Sequence, residues 1–309
     1  MENRARLEGL LSKHDVDYEL VITKSEAHMR ELILSRSPNA KSIIGTGGDS
    51  TMTIIADEII QKKLRTPMGI LPLGSSDDIA LHHNLFKLDD AVRAIARHEP
   101  RLVDAGCISI NRVIDNNIKN NNGNNINSGK TILTYYLGQA NLGIGVAVNR
   151  YVAAQSSGRN IRTFNQTLMG LKGISNAYAK KLVPQKFRIQ HHEEDWEGEF
   201  VSLLFSKIKY WATGKLYIPR AIEDDGNLHA ILMAKCSRSR LLYYTLLSGS
   251  GSHIEKKGIK SVSAAEFKVQ SNRPFQIQVD GDILMKNGVE MNFNEVWFTA
   301  KPSAIHLLV

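Results

Sequence analysis

The residues best placed to do chemistry lie in IIGTGGDST, Ile43 to Thr51. Ile43 and Ile44 end a short apolar strand pattern. Gly45, Gly47 and Gly48 then form a turn that lets bare backbone approach a ligand. A helical pattern follows at once, with Met52, Ile55 and Ile59 on one face beside Ala56 and Ile60. A glycine turn feeding a helix start offers N–H groups and a positive dipole end to an anion, most naturally a phosphate. The spacing is neither GxxxxGK[ST] nor GxGxxG. Asp49 would repel bound phosphates unless a cation stood between them. These residues alone leave a second reading open, a strand–helix turn in which Asp49 and Ser50 cap the helix. Further carboxylates stand at turn-like positions: Asp78 in LGSSDDIA, Asp104 in VDAG, Asp225 in EDDGN, Asp280 and Asp282 in VDGDI. Taken singly, each reads as a turn or cap residue.

Composition bounds the rest. A chain of 309 residues suits two domains or one large one, and 42% hydrophobic with 23% charged residues is ordinary for a globular protein. The net charge of +8 suggests an anionic partner: a nucleotide, an acidic lipid surface or nucleic acid. No RNA-binding aromatic signature and no long Lys/Arg block is present, so nucleic acid is not expected. The apolar runs are too short to span a bilayer, and MENRARLEGL reads as a charged helix rather than a signal peptide. Cys107 and Cys236, both in strand-like stretches, read as buried thiols of a reducing compartment, which points to the cytoplasm.

These residues need elements to hold them. Residues 2–13 and 25–36 carry helical patterns, and DYELVIT (17–23) reads as a strand. TPMGILPLGSSDD (66–78) gives a second apolar strand ending in a glycine turn, and DDIALHHNL and LDDAVRAIA follow as helices. Alternating strands and helices imply a parallel sheet covered on both faces, with ligands at the strand carboxyl ends where both glycine turns lie. After Arg101 strand patterns dominate, including TILTYYLGQANLGIGV, EFVSLLF, NLHAILMAKC, PFQIQVDGDI and NEVWFTA; only 163–180 and 238–248 read as helices. Many short strands joined by turns imply an antiparallel sandwich or barrel. The Asn-rich tract 115–130 reads as a disordered hairpin insertion. His82-His83 and His191-His192 are sequence neighbours whose side chains diverge, and they read as surface residues.

GTGGDST, ILPLGSSDDIA (70–80), IPRAIEDDGNLHA (218–230) and IQVDGDI (277–283), in that order, resemble the diacylglycerol kinase catalytic-domain family. That family includes sphingosine kinases and bacterial soluble lipid kinases. Its patterns run GGDGT, PxGTGNDFA, PxAxxDDGxLD and VDGE, with IDxG matched here by Val103–Gly106. NLGIGVAV (141–148) is similar to its glycine-containing stretch early in the second domain. The resemblance implies an α/β class: a three-layer nucleotide-binding domain over 1–104, joined by a returning strand 303–309, and a mainly antiparallel β-sandwich lipid-substrate domain over 105–302, as in NAD kinase-like and diacylglycerol kinase-like proteins. It implies that Gly47, Gly48, Asp49, Ser50 and Thr51, with Gly74, Ser75 and Ser76, hold the ATP phosphates. It implies that Asp49, Asp78 and Asp104 organise Mg²⁺, and that Asp225 holds a structural metal with the carbonyls of Ile222 and Asn227. Asp280 would be the general base for a lipid hydroxyl and Asp282 its partner. The partner implied is a lipid at a membrane surface, met peripherally by a cytoplasmic protein without a transmembrane segment; a homodimer is a further expectation.

The chain also departs from these patterns. The family's opening strand and Asn-Pro-x-x-Gly loop have no counterpart before the first helix. Ser50 replaces the last glycine of GGDGT, GSSDD replaces GTGND and brings Asp77 toward the phosphates, and DGD replaces DGE. The leading expectation is an ATP- and Mg²⁺-dependent kinase of a diacylglycerol or sphingoid-base hydroxyl. The departures favour an alternative, a weakly active or inactive nucleotide- or lipid-binding homologue, and a third reading is an NAD kinase-like enzyme.

Overall fold

The computed structural model describes residues 2–111, 130–156, 172, 184–192, 194–212, 214–286 and 288–309. The first part of the chain forms helices α1 (Glu2–Lys13) and α2 (Glu26–Arg36), then β1 (Ile43–Gly47), α3 (Asp49–Gln61), β2 (Met68–Pro72), α4 (Asp78–His82) and α5 (Leu88–Arg97). β1 and β2 pair in parallel, Ile43 opposite Met68. α3 buries Met52, Ile55, Ala56, Ile59 and Ile60, the stripe its spacing predicts, and packs on β1. Each such large apolar side chain contributes roughly 1.5–3 kcal/mol.

The second part is built from antiparallel strands: β3 (Pro100–Asn111), β4 (Lys130–Tyr136), β5 (Gln139–Gly143), helix α6 (Ile144–Ser156), β6 (Gln185–His191), β7 (Glu194–Ser206), β8 (Leu228–Ala234), helix α7 (Arg238–Leu247), β9 (Ile259–Ala264), β10 (Glu266–Phe275), β11 (Gln278–Val279), β12 (Asp282–Ile283), β13 (Met285–Lys286), β14 (Val289–Glu290) and β15 (Phe293–Leu308). The first half of β7 pairs with β6 and its second half lies between β5 and β8; this change of partner, at a bulge near Phe200, folds the strands into a sandwich. Its core includes Tyr136, Phe187, Phe205, Phe267 and Phe298, with Phe205 stacked on Phe298 at 4.2 Å.

β3 and β15 form one long antiparallel ribbon that serves both parts. Trp297 to Lys301 pair within the sandwich, while Leu307 and Leu308 pair in parallel with Met68 and Gly69 of β2. The ribbon loses register between Lys301 and Ile305, where Ser303 takes a left-handed φ of 48° and donates its N–H to Asp104 Oδ1 at 2.9 Å.

Four expectations need correction. DYELVIT is not a strand: residues 17–21 and Thr23 line, with Ile43, Ile44, Gly45 and Thr46 of β1, a cavity of about 1230 Å³, so the segment faces open space and lacks the ladder partner its backbone would need. NLGIGVAV turns into helix at Ile144, directly after β5. His82 and His83 bury their side chains to 4% exposure beside Glu223, and His191 is buried between Trp196 and Phe267, so these are packing residues. Cys236 lies in the loop after β8 rather than on a strand. The tract read as an insertion falls outside the described residues except Lys130, and so does the helix read over 163–180 except Lys172.

Candidate active site

The two glycine turns touch. β1 ends at Gly47, Gly48 caps α3, and Asp49, Ser50 and Thr51 form the first helical turn. Gly74, Ser75 and Ser76 follow β2. A Cβ added at Gly74 would fall 2.3 Å from Gly48 Cα, so only glycine permits the approach. Asp49 bridges to the next helix: Asp78 N–H donates to its Oδ2 at 3.1 Å and Ile79 N–H to its Oδ1 at 3.0 Å. Asp78 in turn accepts from Gly214 N–H at 2.7 Å. Asp77 sits in a left-handed conformation, φ 53°, and accepts the Gly74 N–H at 3.1 Å. One amide of the second turn is therefore engaged by a carboxylate.

Asp280 faces α3 from the turn after β11. It is 5% exposed and takes a left-handed φ of 42°, a strained choice for a residue with a Cβ. Three donors hold its carboxylate: Thr53 Oγ1 and Gly138 N–H on Oδ2, the latter at 3.1 Å, and Gln139 N–H on Oδ1 at 2.6 Å. Burial raises its pKa to about 7, helped by the charge of Asp49 and opposed by the three donors. Burial and then the Asp49 charge raise Asp77 to about 6, and burial raises Asp49 itself. Burial raises the pKa of Asp282, on β12, and the nearby Ser50 side chain opposes that rise.

The Asp49 carboxylate thus repels those of Asp77 and Asp280, and a cation relieves such crowding. Among the described residues no group of three His, Cys, Asp or Glu side chains could hold a metal ion. Mg²⁺ is usually bound by one or two carboxylates together with substrate phosphates. Asp49 and Asp78 are the residues that would hold it.

Asp104 and Asp225 are arranged otherwise. They meet around Lys207, which is 1% exposed; its Nζ donates to Asp104 Oδ2 at 3.0 Å, Asp225 Oδ1 at 3.1 Å and the Asn227 carbonyl at 2.6 Å. Asp225 and the Asn227 carbonyl were expected around a structural metal. Their cation is a side chain of the chain itself, so this cluster does not fit a metal ion. The Ile222 amide, for its part, donates to His229 Nε2 at 3.2 Å.

Thr53, Lys207 and the Gly138–Gln139 amides are site residues that sequence reasoning missed. Thr53 and Asp57 are four apart and both buried on α3, a polar pair inside an apolar helix. That pair was the available signal. For Lys207 it was a lysine one serine beyond the apolar run FVSLLF.

Two touching glycine turns at a helix start, with a buried carboxylate opposite, lie in an N-terminal α/β part followed by an antiparallel β-sandwich. The chain belongs to the diacylglycerol kinase catalytic-domain family: residues 2–108 match the diacylglycerol kinase catalytic domain, and residues 139–309 match the YegS C-terminal NAD kinase beta sandwich-like domain. A diacylglycerol kinase of Staphylococcus haemolyticus is 23% identical over 78% of this chain and 64% of its own length. One from Staphylococcus saprophyticus is 23% identical over 82% and 73%. The match thus spans less than two thirds of the first of these relatives. A solved structure from Bacillus anthracis str. Sterne superposes with TM-score 0.72 at 14% identity, covering 99% of this chain and 91% of that one. A second from the same organism, described as a diacylglycerol kinase, gives 0.64 at 13% identity over 97% and 87%.

Proposed function

We propose that the protein is an ATP- and Mg²⁺-dependent lipid kinase that transfers the γ-phosphate to a primary hydroxyl of a diacylglycerol or sphingoid base at a membrane surface. The observation that carries this reading is Asp280, a buried carboxylate with a pKa near 7, held against the helix whose first turn carries Asp49. Phosphoryl transfer asks chiefly for positioning and charge neutralisation, with a base for the acceptor. With its pKa raised to about 7, Asp280 can accept the lipid hydroxyl proton near neutral pH, the condition in which a general base works best. Thr53, Gly138 and Gln139 aim the carboxylate, and Asp282 with Ser50 forms the adjoining wall. The glycine turns receive the phosphates on backbone, and Mg²⁺ bound with them would offset the negative charge of Asp49 and Asp78. No helix among the described residues is long and apolar enough to cross a membrane.

A second reading has one specific observation in its favour. Asp77 takes the Gly74 N–H that a phosphate would otherwise use and adds negative charge there, which favours a weakly active or inactive binding homologue. Incubation with labelled ATP, Mg²⁺ and vesicles carrying diacylglycerol, sphingosine or other lipids, with a parallel NAD reaction, separates the readings. Labelled lipid supports the kinase. Saturable ATP binding without product supports the second reading, and labelled NADP replaces both with an NAD kinase.

A further inference from the structure

We infer that Lys207 is an internal counter-ion that takes the place of a divalent cation at the joint between the two domains. A fully buried lysine is costly unless its ammonium finds acceptors on all sides. Here the three protons of Nζ are matched by three oxygens, the donor set a small cation would seek: two carboxylates, Asp104 and Asp225, and one carbonyl, Asn227. Asp225 is further held by Asn227 N–H at 3.0 Å, and His229 Nε2 lies 2.9 Å from its other oxygen.

What the ammonium ties together is the reason it matters. Asp104 stands where the β3–β15 ribbon loses register, and its carboxylate also accepts Ser303 N–H at 2.9 Å and Gly226 N–H at 2.8 Å. Lys207 thereby fastens the DDG turn, the ribbon and the end of β7 at one point. The backbone N–H of Lys207 donates to Gly138 O at 2.9 Å, and Gly138 N–H is one of the donors on Asp280. The joint and the carboxylate of the site thus share one frame, fixed by a covalently attached charge whose occupancy does not depend on the medium. The inference concerns stability and metal content, so it stands apart from whether the protein phosphorylates a lipid.

The test is thermal unfolding of the full chain with EDTA, MgCl₂ or CaCl₂, in the absence of nucleotide, for wild type, Lys207→Ala and Lys207→Met. Wild type should melt at the same temperature in all three media and should purify without a stoichiometric divalent metal. Lys207→Ala leaves two carboxylates facing an empty space; its melting temperature should fall on the order of 10 °C in EDTA. A divalent ion about 100-fold above its Kd should restore much of that loss. Lys207→Met fills the space with an apolar chain and should melt low in all three media. Stoichiometric metal in wild type, or loss of wild-type stability in EDTA, overturns the inference. So does a folded Lys207→Ala that responds to divalent ions no more than Lys207→Met. If neither variant folds, the wild-type metal analysis and EDTA melt decide.

Discussion

Ser50 and Asp282 face each other across the gap between α3 and β12, where the Ser50 side chain favours the charged form of the Asp282 carboxyl against the burial that raises its pKa. Each departs from a family pattern, one adding a side chain where GGDGT has glycine, the other shortening the acid of DGE. The added hydroxyl faces the shortened carboxylate, so the two changes are one local arrangement. Asp282→Glu alone should therefore crowd Ser50, and Ser50→Gly alone should leave the charged form of Asp282 without that support. The double variant should be more active than either single one, with a coupling of roughly 0.5–3 kcal/mol in kcat/KM. Kinetics on the four proteins check this; additive effects would dissolve the link.

Asp280 predicts the pH profile. A base must be ionised, and burial has lifted this carboxyl to about 7, so kcat/KM should fall as pH drops below about 7 and level off above it. Thr53 donates to the ionised form. Thr53→Val should move the midpoint upward by about 1–2 pH units, while Thr53→Ser should keep it near the wild-type value. A Thr53→Val profile with an unmoved midpoint would reduce the residue to packing.

Asp77 gives a second pH signature, in binding rather than rate. Its carboxyl is raised to about 6, so it is charged at pH 7.5 and mostly neutral at pH 5. Asp77→Asn keeps an oxygen for Gly74 N–H and removes the charge. ATP affinity should rise roughly 10–100-fold at about pH 7.5, where two like charges at about 5 Å cost about 3 kcal/mol at an effective dielectric near 20. Near pH 5 the gain should vanish. Calorimetric titration at the two pH values reads the difference, and an equal gain at both would point to shape instead of charge.

Asn111 and Lys130 are register partners at the ends of β3 and β4. Because the strands already meet there, replacing residues 116–129 by a short turn should change stability by less than about 1 kcal/mol. A melting curve of the deletion variant checks it. A drop much larger than that would mean that the tract contributes contacts of its own.

The sequence made the glycine turns, the Asp280 turn and the stripe of α3 visible because each is local: a few residues whose spacing carries the geometry. Thr53 was hidden for the opposite reason. It lies 227 positions from Asp280, and no local periodicity says which distant strand end a helix face will meet. Lys207 was hidden likewise, since its meaning depends on Asp104 and Asp225 arriving from other elements. DYELVIT misled because alternation shows that a segment suits a strand, and pairing with a neighbour decides whether it becomes one. His191 looked exposed beside its twin, yet alternation along β6 turns it inward onto Phe267.

The ribbon that crosses between the domains has a consequence for how the protein is made. Leu307 and Leu308 are fully buried and supply the strand that flanks β2, yet they are translated after the entire sandwich. During vectorial synthesis the nascent Met68–Pro72 strand waits with one edge open for more than 200 residues of elongation, at about 5–20 residues per second. The earliest-made sheet is thus sealed only by residues synthesised after the sandwich strands, so its closure waits on a late-emerging segment of the chain.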